Sequence, residues 1–175
     1  MNYVVVVEDV ASHICPALGP GYFLPIEKAT SATQCRPCVM GTRSGRGAGQ
    51  CIECPPGMYG DRQAMPECIQ CPPGTFNPIA GASSTTYCLE CAIGEHNAFP
   101  GKSLCLPCPE GQYGNLTGMP VCWKCEPGNY ISTLGSIFPE DCVPCATGTY
   151  TSDHGAPACT LCPPGSYNDD LGREE

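Results

Sequence analysis

The chain has 175 residues, among them 21 glycines, 20 prolines and 17 cysteines, and its formal net charge is −9. Eight basic side chains against 17 acidic ones leave no clustered surface for a phosphate backbone, which argues against a nucleic-acid partner. Cysteine near a tenth of the residues, with little left for a continuous apolar core, signals a cross-linked scaffold.

Residues 1–14 read as an N-terminal strand or the end of a preceding domain, because the β-branched run at residues 4–7 is strand-like. The same run is too short for the apolar stretch of a secretory signal, lacks a basic flank, and is followed at once by Glu8 and Asp9. No stretch is long and apolar enough to span a membrane. If the protein is secreted, its signal is expected outside this chain, or Met1 is not the biological start, which favours a segment of something longer.

Residues 15–53 hold two divergent cysteine-rich units, one with an enlarged loop from Cys15 to Cys35 and one from Cys38 that is a residue short. Half of the basic residues, Arg36, Arg43, Arg46 and Arg62, lie in one early stretch that begins here and runs on into the unit that opens at Cys54. A solvated loop is the plain reading, and contact with an anionic glycan or partner the sharper one. The run from Ser44 to Gly49, with three glycines, is expected to be the most flexible loop.

From Cys54 the chain repeats. Residues 54–107 and 108–161 align without a gap, with cysteines 54/108, 68/122, 71/125, 88/142, 91/145 and 105/159 in register. Gly57-Met58-Tyr59 meets Gly111-Gln112-Tyr113, and Met65-Pro66 meets Met119-Pro120. Each block carries three CxxC pairs separated by loops of 13, 16 and 13 residues, so it divides into three units, called a, b and c. Residues 162–175 open a further unit. A fixed period of this kind means a chain built by adding one small unit to the next.

Most units begin Cys-x-x-Gly-x-aromatic. Glycine supplies a positive φ or a close approach, a preceding proline stiffens the turn, and the aromatic is placed to cover the adjacent sulfurs. Tyr59, Phe76, Tyr113, Tyr130, Tyr150 and Tyr167 hold that place, while Arg43 and His96 stand there in two c units. Prolines recur too often for long helices, so hairpins and turns remain. His13, His96 and His154 occupy unrelated unit positions and no acid pair recurs with the repeat, which leaves no catalytic constellation. No cofactor is expected. Asn115-Leu116-Thr117 is an N-glycosylation sequon in a unit a loop.

Three chemistries use CxxC. In a disulfide ladder the second cysteine of one pair bonds the first of the next: Cys15–Cys35, Cys38–Cys51, Cys54–Cys68, Cys71–Cys88, Cys91–Cys105, Cys108–Cys122, Cys125–Cys142 and Cys145–Cys159. Cys162 is then unpaired in this chain, as an interrupted ladder with an odd count requires. Zinc-ribbon spacing is the rival, since two CxxC pairs can supply four thiolates; it fits a period of three pairs poorly and orphans Cys15. A redox CxxC needs a thioredoxin-like frame that is missing.

The starts CPPGMYG, CPPGTF, CPEGQYG and CEPGNY, and the interrupted CPPGSY, resemble the tandem ephrin-receptor-like cysteine-rich repeats, relatives of the tumour-necrosis-factor-receptor and EGF-like modules. The resemblance covers residues 15–167, and departs at Arg43 and His96. It implies a small disulfide-rich, mostly irregular or β fold: an elongated rod of tandem short β-hairpin modules stapled by the ladder. It also implies an extracellular or cell-surface location. The expected function is a non-enzymatic stalk or filament segment. A ligand-binding receptor or adhesion ectodomain is the alternative, and an intracellular zinc array the third reading. Expected partners are other copies of the chain or neighbouring extracellular proteins, with glycans possible.

Overall fold

The computed structural model describes residues 19–25 and 32–174. The strand expected at residues 4–7, His13 and Cys15 lie outside the described residues. Contacts divide the chain into two compact bodies, one running up to Cys71 and including Asn77–Cys88, the other made of Pro72–Phe76 and the chain from Leu89 onward.

Frequent glycine and proline leave no window for an α-helix among the described residues, where extended structure consists of two-stranded antiparallel hairpins whose strands are two residues long. In each hairpin the first strand follows a turn glycine, and the second is the two residues enclosed by the next CxxC. The first body pairs Tyr22–Phe23 with Arg36–Pro37, Thr42–Arg43 with Ile52–Glu53, and Met58–Tyr59 with Ile69–Gln70. The second pairs Thr75–Phe76 with Leu89–Glu90, Glu95–His96 with Leu106–Pro107, and Gln112–Tyr113 with Trp123–Lys124. It continues with Asn129–Tyr130 on Val143–Pro144 and Thr149–Tyr150 on Thr160–Leu161.

The turn before each hairpin follows from its residues. The Met58 N–H donates to the Pro55 carbonyl at 3.1 Å with Gly57 at φ +87°, the arrangement of a type II turn with Pro56 at its first corner. Gln112 donates to Pro109 at 3.1 Å and Thr149 to Ala146 at 3.0 Å in the same way. The hairpin is closed by the second cysteine of the following CxxC, whose N–H donates to the turn glycine carbonyl: Cys71 to Gly57 at 2.9 Å, Cys108 to Gly94 at 2.8 Å, Cys125 to Gly111 at 3.0 Å. The longer b loops contain the 3-10 turns Ala32–Gln34, Thr85–Tyr87 and Pro139–Asp141, each directly before a closing cysteine. In the Cys71–Cys88 and Cys125–Cys142 loops the three additional residues, relative to the 13-residue loops of units a and c, are thus taken up as one tight turn.

Seven consecutive disulfides join Cys38–Cys51, Cys54–Cys68, Cys71–Cys88, Cys91–Cys105, Cys108–Cys122, Cys125–Cys142 and Cys145–Cys159, with Cα atoms 5.5 to 5.8 Å apart. The opening cysteine of each of these loops is fully buried or nearly so. In the loops opened by Cys54, Cys71, Cys108, Cys125 and Cys145, two further buried positions around it complement each other in volume. Where the residue after the hairpin aromatic is Gly60 or Gly114, the loop supplies Met65 or Met119; where it is Asn77, Ile131 or Thr151, the loop supplies Ala82, Ser136 or Ala156. A Cβ on Gly60 would stand 3.3 Å from both the Cys54 Sγ and the Met65 Sδ, so the large loop residue requires the small hairpin one.

The residue before that loop position is left-handed throughout: Gly81 at φ +71°, Gly118 at +68°, Gly135 at +72°, Gly155 at +74°. Ala64 takes the same place at φ +57°, the one non-glycine with positive φ among the described residues. The turn glycine two modules back faces this residue's carbonyl, and a Cβ on Gly41 would overlap the Gly81 oxygen.

Two substitutions in the first body separate these effects. Ala64→Gly is expected to stabilise it by about 1 kcal/mol, by relieving a left-handed alanine. Gly41→Ala combines that strain with a backbone clash and is expected to destabilise it by about 3 kcal/mol. Amide-exchange protection of residues 38–82 in the oxidised protein measures both; equal effects, or a loss for Ala64→Gly, would contradict the assignment.

Candidate functional site

In a protein built from repeated units the candidate site is the joint between them. At each step the turn glycine N–H donates to the carbonyl one residue past the hairpin of the next module. In the first body these bonds are Gly21 to Ser44 at 2.8 Å, Gly41 to Gly60 at 2.9 Å and Gly57 to Asn77 at 2.8 Å. In the second they are Gly74 to Asn97, Gly111 to Ile131, Gly128 to Thr151 and Gly148 to Asn168 at 2.8 Å, and Gly94 to Gly114 at 2.7 Å. A return bond runs from the left-handed loop residue to the opening cysteine carbonyl of the module before: Gly81 to Cys54 and Gly118 to Cys91 at 2.8 Å, Gly155 to Cys125 at 2.9 Å, with Ala64 to Cys38 at 2.9 Å. Donors and acceptors are all main chain, so the joint tolerates variation in side chains.

Four joints add a side chain. Asn77, fully buried, donates Nδ2 to the Met58 carbonyl of the preceding module at 2.9 Å and accepts the Ile79 N–H on Oδ1 at 3.1 Å. Asn168 repeats this with the Thr149 carbonyl at 3.0 Å and the Asp170 N–H at 2.9 Å. Asn97 donates to the Thr75 and Leu104 carbonyls at 3.0 Å, and the Ser44 hydroxyl to the Tyr22 carbonyl at 3.0 Å. A carboxamide carries donor and acceptor on one planar group, which suits a position that bonds in both directions. The Cys-x-x-Gly-x-aromatic motif does not contain this residue; its signal in the sequence is Asn directly after the aromatic position in three units.

Among the residues singled out from sequence, Cys35 is disulfide-bonded, and Cys15, its expected partner, lies outside the described residues. Cys162 is a half-buried free thiol. The two sulfurs of each fully described CxxC up to Cys145 bond in opposite directions along the chain, so they do not converge as a zinc ribbon requires. No group of three or more His, Cys, Asp or Glu side chains that could hold a metal ion occurs among the described residues. No helix there is long and apolar enough to cross a membrane.

The hairpin aromatics are half-buried, and their cross-strand neighbours are the first residues enclosed by the CxxC: Tyr59 opposite Ile69, Phe76 opposite Leu89, Tyr113 opposite Trp123, Tyr130 opposite Val143. Tyr167 is 85% exposed. His96 stands opposite Leu106 in a hairpin, and its Nδ1 is buried without a hydrogen bond. His154 lies on the surface with Nε2 3.2 Å from a Glu126 carboxylate oxygen. The glycine-rich loop is anchored at both ends, contrary to its expected flexibility: Ser44 is buried and bonds Tyr22, and the Ala48 carbonyl accepts the Leu24 N–H at 3.0 Å. Arg36, Arg46 and Arg62 are exposed. Asn115 is exposed, and the Thr117 hydroxyl donates to Glu90 Oε2 at 2.8 Å.

Repeated hairpins, a disulfide in each module from Cys38 to Cys159 and main-chain joints define a tandem, disulfide-rich repeat protein. Residues 41–88 and 138–174 match the family described as tyrosine-protein kinase ephrin type A/B receptor-like. Those two segments are similar to ephrin-receptor-like cysteine-rich repeats, and the tandem disulfide-closed modules are consistent with that match. No curated protein matches the chain.

Asn77→Asp tests the side-chain joint. A carboxylate cannot donate to the Met58 carbonyl, and burial raises the folded-state pKa of the new acid above its unfolded value near about 4. The folded state then holds a proton that the unfolded state has released, so stability falls as pH rises through that interval and stays low above it. At neutral pH the expected loss is about 2–4 kcal/mol. Denaturation midpoints from pH 3 to 8 (~5 units of range) check it; a pH-independent loss would remove the joint from Asn77.

Proposed function

We propose that the chain is a spacer segment of an extracellular stalk or filament protein, in which the modules set distance and display rather than bind a ligand. The observation that carries this reading is the joint. The same turn-glycine to main-chain bond recurs from Gly21 to Gly148 whatever the side chains around it, as a unit added repeatedly requires. Disulfides of this density belong to an oxidising, extracellular compartment, where they persist. Association with further copies of the chain, or with neighbouring extracellular proteins, belongs to the same reading. The division into residues 54–107 and 108–161 gives the natural increment of length.

A receptor or adhesion ectodomain is the second reading, favoured by exposed Arg36, Arg46 and Arg62 on a chain of net charge −9. Removing residues 54–107 in register separates the two. A spacer keeps all remaining disulfides, leaves the other modules' amide protection unchanged, and shortens by the length of one block in electron micrographs. Loss of surface binding by the native protein when only residues 15–53 are removed would favour the ectodomain instead. Sixteen oxidised cysteines in native protein, counted by alkylation without reduction, are expected in either case. Reduced thiols throughout would sink the extracellular assignment itself.

A further inference from the structure

We propose that Asn115 is the attachment point of an N-linked oligosaccharide, added before the module closed by Cys108–Cys122 folds, and that Thr117 then changes role from recognition element to inter-module latch. The inference rests on the extracellular reading above, because the modification belongs to the secretory route.

The sequon Asn115-Leu116-Thr117 sits on an exposed rim. Asn115, Leu116 and Thr117 are all exposed, and they directly follow Gly114, which is buried tightly enough that a Cβ there would stand 2.9 Å from the Cys108 Sγ. The acceptor amide is thus held at the surface of its module by a residue locked against the sulfur. Exposed apolar side chains lie in the same module, with Leu116 at 59% and Val121 at 61%, and a glycan would shield such surface from association. The corresponding residues of the first block, Asp61-Arg62-Gln63, contain no sequon, so a sugar at Asn115 would distinguish two otherwise parallel blocks.

The timing follows from Thr117. The transferase reads the sequon through the hydroxyl two residues after asparagine on an extended chain. In the folded protein that hydroxyl donates to Glu90 Oε2 at 2.8 Å, and the tripeptide is enclosed in the loop of the Cys108–Cys122 disulfide. Both features withdraw the recognition element once folding is complete. In the transfer itself, the Asn115 amide nitrogen forms a bond to the anomeric carbon of a polyprenyl-diphosphate-linked oligosaccharide. The anomeric C–O bond to the diphosphate breaks, the carrier leaves as the anion, and one amide proton is released to the transferase's base. No electrons change hands. Freed of its first role, the Thr117 hydroxyl becomes a tie between its own loop and the strand residue Glu90.

The test uses native protein, digested after treatment with a broad-specificity peptide-N-glycosidase in heavy-oxygen water. Conversion of Asn115 to isotopically labelled aspartate is the expected result, and unmodified Asn115 in protein with sixteen oxidised cysteines would overturn the inference while leaving the extracellular reading intact. Unmodified Asn115 with reduced thiols would overturn both. In secreted full-length variants, Thr117→Ser should keep the glycan and Thr117→Ala should lose it. Glu90→Gln should leave occupancy unchanged, whereas Cys108→Ser with Cys122→Ser should raise any incomplete occupancy toward full. A glycan retained in Thr117→Ala would contradict sequon recognition, and occupancy that is left incomplete or lowered by opening the disulfide would contradict the order of events.

Discussion

The structure depends on one constraint, which is that a module of roughly 17 to 20 residues cannot offset its own chain entropy by burial. Ordering each residue costs about 1–2 kcal/mol, and these modules bury little more than a sulfur and two side chains apiece. A disulfide that closes a loop of about 15 residues shifts that balance by about 3 kcal/mol, chiefly by restricting the unfolded chain. The remaining order comes from neighbours: each module donates main-chain hydrogen bonds forward from its turn glycine and backward from its loop.

The direction of the cysteines makes this cumulative. Because the two members of a CxxC bond in opposite directions, the dipeptide between them ends one loop while the next loop begins. That dipeptide is also the second strand of a hairpin, so strand pairing, disulfide and chain continuation share the same four residues. Few residues are left to carry specificity, and sequence variation falls where geometry permits it, in the exposed loops and in the enclosed dipeptides.

Within the module the three buried positions behave as a miniature core. Gly60 with Met65, Asn77 with Ala82 and Thr151 with Ala156 are alternative ways of filling similar space beside a sulfur. Close packing forces the compensation, since neither a second large residue nor a void is tolerated against a fixed disulfide. The buried asparagines add directionality that an aliphatic residue such as Ile131 lacks, by bonding the preceding module through the side chain as well as the main chain.

The cysteine count and the recurrent CxxC by themselves marked a cross-linked chain of small repeated units, and the frequency of glycine and proline its hairpin-and-turn character. Loop lengths near 13 and 16 residues, a glycine three residues after an opening cysteine, and the scarcity of helix formers are local facts that require no partner. Only the tertiary structure decided what the glycines face and which polar residues are buried. The approach of the Gly41 turn to the Gly81 carbonyl, and the bond from Asn77 to Met58, join residues 40 and 19 positions apart. No spacing rule within one unit contains them. Ser44 illustrates the reason most directly: in a run of glycines it reads as part of a flexible loop, yet the next module's Met65 carbonyl and the previous module's Tyr22 carbonyl fix it on both sides.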